Sequence, residues 1–150
     1  MKVTIEECRE GEEEVIIRCH AIDARISRLL EALQPEPEKL AVFHGEQMRQ
    51  VQLQEVCYFE AVDNRVFAYL DRDVFEVRAK LYELEQRYAG MEFFRISKSV
   101  LVNLEKVDHF SPLFQGRLDA CMTNGEHLVI SRQYVTLLKM RMGLKQEGRQ

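Results

Sequence analysis

The sequence lacks any run of about 18 consecutive apolar residues, the length a membrane-spanning helix needs. It starts MKVTIEECREGEEE, acidic where a secretory signal is basic and then apolar, so neither export nor insertion is expected. Catalytic signatures are missing as well: there is no GxSxG, HExxH, CxxC or glycine-rich phosphate loop. The one adjacent thiol–base pair, Cys19-His20, lies in a strand-like run, where neighbouring side chains point to opposite faces and cannot cooperate. His20, His44, His109 and His127 show no metal-ligand spacing, and paired carboxylates such as Asp71 and Asp73 read as turn residues. No enzyme, metal or cofactor is expected. Internal repeats and low-complexity tracts are absent. The four cysteines (Cys8, Cys19, Cys57, Cys121) are widely spaced in apparent strands, as free thiols packed like small hydrophobes in a reducing cytoplasm would be.

Positive charge is not in excess either: the net charge is −4, which by itself argues against a nucleic-acid partner. Its distribution is uneven, with −4 over residues 1–40, −4 over 41–94 and +4 over 95–150. A locally basic C-terminal third on an acidic body is compatible with a DNA-facing surface. What is present is an ordinary globular composition, 150 residues with 46% apolar and 31% charged side chains. At that length folding buries roughly 68–70% of the unfolded chain's surface, enough for a core without disulfides or metals.

Along the chain, strands are predicted at 3–8 and 15–19 around an acidic turn at 9–14, followed by a helix over 23–33 capped by Asp23. Ile22, Ile26, Leu29, Leu30 and Leu33 share one helical face and predict packing on that two-stranded sheet. This ββα extension occupies 1–34, and the segment 35–39, with Pro35 and Pro37, reads as a linker to a second domain over 40–150. There the pattern turns to alternation, with strands predicted at 40–44, 48–53, 56–62, 66–70 and 74–77, a helix at 78–88 with Leu81, Leu84 and Tyr88 inward, and the apolar clusters of 93–110. Asn124-Gly125 predicts a type I′ turn pairing 117–122 with 127–130. A last helix over 131–144 turns Val135, Leu138 and Met142 inward, and the tail from 145 is predicted to fray. The fold class is α+β, dominated by antiparallel strands.

Three polar loop ends stand out. Residues 95–99 (Arg95, Ser97, Lys98 and Ser99 around Ile96) place cations and hydroxyls between two apolar clusters, chemistry that suits phosphates and base edges but equally a solvated loop. Ser131 is a good N-cap, yet Arg132 at the first helical position opposes the helix dipole, so either the cation is merely tolerated or something else requires it, such as guanine O6 and N7. Asp63-Asn64-Arg65 could reach DNA and is also plain turn chemistry.

In this order these pieces resemble the LytTR DNA-binding domain, through EVCYFEAVDNRVFAYL (55–70), KLYELEQRY (80–88), FFRISKSVLVNLEKV (93–107), NGEHLVISRQYV (124–135) and the late Leu-Lys. The likeness spans 40 to about 143. It implies a stack of small, mostly antiparallel sheets in an elongated domain, whose loops enter successive major grooves of one DNA face. By that resemblance Asn64, Lys98 and Arg132 are base contacts, and Arg65, Ser97, Ser99 and Gln133 are backbone contacts. Ser97-Lys98 departs from the His-Arg or His-Asn of many members, which implies a different base preference. It further implies double-stranded DNA with direct repeats as the partner, binding as a homodimer, and, as in some stand-alone members, restraint by a small membrane protein. Fewer than 40 residues precede the domain, against roughly 120 in the receiver domain many members carry, so a stand-alone regulator is expected. The competing reading is a protein-interaction module that kept the fold and lost the DNA surface, which the net negative charge permits.

Overall fold

The structure, a computed structural model, describes residues 1–33 and 38–143. The tail from 145 and most of the expected linker lie outside these residues. The chain divides into two compact units, Met1–Glu36 and Pro37–Gln150.

In the first unit helix α1 (Ala24–Leu33) forms as its pattern predicts. The Asp23 carboxylate accepts hydrogen bonds from the Arg25 and Ile26 amides, both at 3.0 Å, and so caps it. The two strands predicted before it do not form, since residues 1–22 carry no ladder pairing. Val3, Ile5, Val15 and Ile16 are all exposed, as are Cys8 and Cys19, which therefore are not packed thiols. A lone two-stranded hairpin is marginal in water, and here its turn would gather Glu10, Glu12, Glu13 and Glu14. Of the apolar helix face only Ile26 is buried.

The second unit contains ten strands: β1 (Lys39–His44), β2 (Gln47–Gln52), β3 (Tyr58–Val62), β4 (Arg65–Tyr69), β5 (Val74–Val77), β6 (Phe93–Arg95), β7 (Val100–Asn103), β8 (Val107–Pro112), β9 (Leu118–Met122) and β10 (His127–Ile130). Helix α2 (Leu81–Arg87) lies between β5 and β6, and α3 (Arg132–Arg141) closes the unit. All pairings are antiparallel, but the sheets are two, a seven-stranded one in the order β2-β1-β5-β4-β3-β7-β6 and a three-stranded one in the order β10-β9-β8.

Alternation along the strands explains the two cores. Phe59, Val66, Ala68, Phe75, Val77 and Leu101 gather with Leu81 and Leu84 of α2 and with Tyr88 just after it. Their neighbours Tyr58, Val100 and Val102 join Ala120, Met122 and Ile130 of the small sheet and Val135 and Leu138 of α3. Strand β7 belongs to both cores, and all four of its residues are buried, as expected of an uninterrupted apolar run with cover on both faces. Its one polar residue, Asn103, is satisfied: Nδ2 donates to the Val56 carbonyl at 3.0 Å and Oδ1 accepts from the Glu105 amide at 3.0 Å. Tyr58 and Tyr69 stack with centroids 4.4 Å apart, and burial raises both phenol pKa values. The Tyr58 hydroxyl donates to Glu126 at 3.0 Å and so ties the large sheet to the β9–β10 loop. Met142, expected inside, is exposed because α3 ends at Arg141.

The two turn predictions exchange places. At Asn124-Gly125 only the glycine has positive φ, and the strands are separated by the four residues 123–126, with the Asn124 side chain accepting from the Glu126 amide at 3.0 Å. An Asx turn within a longer loop has displaced the type I′ turn. The two-residue turn with both φ positive is Asp63 (49°) and Asn64 (64°), between the paired Val62 and Arg65.

Candidate nucleic-acid interface

Asn64 is exposed at the tip of the β3–β4 hairpin, and its left-handed backbone is one that Asn and Asp tolerate better than other side chains. Next to it, Arg65 is engaged. Its Nη2 lies 2.5 Å from Glu76 and its guanidinium sits over the Phe67 ring at 5.2 Å, holding the Glu76 carboxyl below the usual carboxylate range.

Lys98 sits in the β6–β7 loop, and that loop is braced from within. Arg95, which by residue type offered a free cation, turns inward: Nε donates to the Ser97 carbonyl at 2.7 Å and Nη2 to the Lys98 carbonyl at 2.5 Å. Its Nη1 meets Glu85 of α2 at 3.0 Å, so the loop is tied to that helix. Ser97 Oγ accepts from the Ser99 amide at 3.2 Å, and Ile96 is fully buried. With both backbone carbonyls held, Lys98 projects as the exposed side chain of the loop.

Arg132 opens α3. Ser131 stands at the N-cap position, but its hydroxyl makes no capping hydrogen bond, contrary to expectation, and its amide donates instead to the Ile96 carbonyl at 2.9 Å. This bond ties the helix start to the Lys98 loop. Arg132 and Gln133 are exposed. The other end of α3 is conventional, with Lys139 and Arg141 facing the negative end of the dipole. Arg141 also donates to the Phe93 carbonyl at 3.1 Å and to that of Met91.

The three loop ends share one edge of the fold. Strand β3 runs into the Asn64 turn while its antiparallel neighbour β7 runs out of the Lys98 loop, and the Ala61 amide donates to the Ser99 carbonyl at 2.8 Å. The Ser131–Ile96 bond adds Arg132 to the same edge. Beyond the opposite ends of β3 and β4 lies a cleft of about 500 Å³ lined by Glu55, Cys57, Asp71, Asp73 and Lys106 among others, in which burial raises the Cys57 thiol pKa. No group of His, Cys, Asp or Glu suited to a metal ion occurs among the described residues. None of the described helices is long and apolar enough to cross a membrane.

Sequence reasoning missed the supporting residues, Arg95 and Glu85 under one loop and Gly116 beside Arg132. A Cβ on Gly116 would come within 3.0 Å of Arg132 Cγ. The available signal was Gly116 itself, at a loop tip where positive φ (74°) favours glycine.

Comparison with known proteins bears on the family and the fold. Residues 46–143 match the model of the LytTr DNA-binding domain family. The chain is 27% identical over 111 residues to the sensory transduction protein LytT of Enterococcus faecalis, covering 73% of this chain and 46% of that protein. It is 26% identical over 94 residues to an uncharacterised HTH-type transcriptional regulator of Staphylococcus aureus, 63% of each chain. The chain thus spans about half the length of the LytT proteins it matches. A solved LytTr DNA-binding domain from Bacillus cereus has the same fold, with a TM-score of 0.67 at 21% identity over 71% of this chain and 97% of that one. With 98 of its 150 residues matched, the chain belongs to the LytTr DNA-binding domain family, a family of DNA-binding rather than catalytic domains.

Proposed function

We propose that this protein is a sequence-specific transcription regulator that reads successive major grooves through loop ends. Asn64, Lys98 and Arg132 contact bases, while Arg65, Ser97, Ser99 and Gln133 contact the backbone. The observation that carries the reading is the hydrogen-bonded connection of the three loop ends, Ala61 to Ser99 and Ser131 to Ile96, which aligns one anchored polar tip with the next. A braced loop loses little backbone freedom on binding, and an arginine with no ion pair among the described residues, at the positive end of a helix, suits guanine or phosphate. Arg65 reaches phosphate only by exchanging Glu76 for it, and the hydroxyl of Ser97 keeps a lone pair beyond the one it uses on Ser99.

On this reading the protein works in the cytoplasm and binds direct repeats in a promoter as a homodimer, with residues 1–34 as the dimerisation element. The exposed apolar residues of that segment support this role and would also suit a small membrane-protein inhibitor.

The test is binding to a duplex selected from a random library by the wild-type chain. Arg132→Ala should weaken the selected duplex by about 1–3 kcal/mol and relax preference at one position, while random DNA is affected far less. Affinity should fall steeply between about 50 and 200 mM salt. Flat salt dependence would sink the DNA reading and favour the protein-interaction module that the −4 net charge allows.

A further inference from the structure

The loop joining β8 to β9 holds an aromatic side chain that nothing in the fold uses. Phe114 is 88% exposed, more than any other large apolar residue among the described residues. A single exposed hydrophobe needs no explanation in general, but this one is held in place. The Leu113 amide donates to the Arg117 carbonyl at 3.0 Å, and the Arg117 side chain donates through Nε to the Phe114 carbonyl at 3.2 Å. Pro112 and Leu118 pair directly below, so the loop is closed at its base. Within it Gln115 takes a left-handed backbone (φ 63°), sparsely populated for a residue with a side chain. Gly116 follows with φ 74°, and the methylenes of Arg132 lie against it. The loop that displays Phe114 is therefore in contact with the proposed base-reading arginine, and it carries a second exposed cation, Arg117.

We infer that the β8–β9 loop is a further DNA-contact element, in which Phe114 lays its ring on the apolar parts of the duplex next to the base read by Arg132. The ligand chemistry is the thymine 5-methyl group or the deoxyribose carbons. Aromatic rings interleaved with arginines are the pattern of nucleic-acid surfaces, and Phe is among the side chains that contact thymine methyls. The loop carries the exposed Arg117 and touches the exposed Arg132, cations for which DNA presents phosphates and an apolar protein patch does not. A held loop gives the backbone that carries the ring little freedom to lose on binding.

The inference rests on the DNA reading proposed above, and one experiment separates the two. The wild-type chain selects duplexes from a random library, and affinities for the selected duplex are then measured for wild type, Arg132→Ala, Phe114→Ala and Phe114→Leu. Phe114→Ala should weaken binding at least about fivefold and Phe114→Leu by less, with unchanged thermal midpoints because the side chain makes no packing contact worth losing. Replacing thymines singly by deoxyuridine removes only the methyl group. If one replacement weakens wild type and leaves Phe114→Ala unaffected, the methyl is the contact, and if none does, the sugar is. A wild-type chain that selects no sequence overturns the DNA reading and this inference together. If selection succeeds and Arg132→Ala fails to bind while Phe114→Ala binds within twofold of wild type, this inference alone falls. A thermal midpoint lowered by Phe114→Ala to the extent that its affinity falls would also overturn it.

Discussion

Helices α1 and α2 carry the same kind of sequence signal and meet different fates. Both repeat leucines at helical spacing, yet α2 buries Leu81 and Leu84 against the large sheet with Tyr88 just beyond them, whereas α1 buries Ile26 alone and leaves Leu29, Leu30 and Leu33 at least partly open. The segments before them differ in the same way. Phe59 is inaccessible to solvent, while Val3, Ile5, Val15 and Ile16 stand in water. The difference teaches that an apolar stripe names the face that wants cover but not what supplies it. For α2 the cover is a sheet whose strands lie both before and after it in sequence, and within residues 1–33 no such sheet forms.

The contrast is broken most forcefully in the core. Phe59→Ala removes a ring that packs with Tyr88 at 6.5 Å and Phe93 at 5.5 Å, and should lower unfolding stability by about 3–5 kcal/mol in a denaturant titration. A loss below about 1 kcal/mol would mean that the core beneath α2 is far looser than its burial indicates. A middle effect is expected where packing meets the interface. Arg95→Gln leaves two loop carbonyls and Glu85 without their donor and should cost about 1–3 kcal/mol of stability. Because the loop presents Lys98, its DNA affinity should fall further than that of Arg87→Gln, the same change on α2 at a guanidinium that lies over the Tyr88 ring, and equal affinities for the two variants would remove Arg95 from the interface. The smallest effect belongs to the first unit. Ile16→Ser, at a position 67% exposed, should change thermal stability of the dilute chain by no more than about 0.5 kcal/mol. A larger loss that grows with protein concentration would place Ile16 in an interface between copies.

Much of this fold was legible because the governing forces are local. Period-two alternation located β1 to β5 and the helical spacing of Leu81, Leu84 and Tyr88 located α2, while the Val100-Leu101-Val102 run read only as an inward-packing apolar cluster and is a strand covered on both faces. Residues 3–8 and 15–19 carried a similar alternation and misled, since alternation describes a strand and says nothing of a neighbour to bond it. Turn chemistry misled at Asn124-Gly125, where four residues separate the strands, and was understated at Asp63-Asn64, where register demands the two-residue turn. Of the candidate interface, Lys98 and Arg132 were conspicuous by residue type at loop ends. Arg95 was not distinguishable from them, because the carbonyls that occupy it belong to its own loop and its carboxylate partner lies ten residues away on a helix.

The sequence by itself determined the antiparallel strand-rich class, the inward faces of α2 and, Met142 apart, of α3, and the family, because periodicity and motif spacing follow from the chain's local geometry. Only the tertiary structure decided that seven strands share one sheet, that β3 lies beside β7, and that Asn64, Lys98 and Arg132 come to one edge with Phe114 on the loop that touches Arg132. Those outcomes depend on backbone hydrogen bonds and close contacts between residues up to about 40 positions apart, which no local pattern encodes because the partner's identity matters less than its reach.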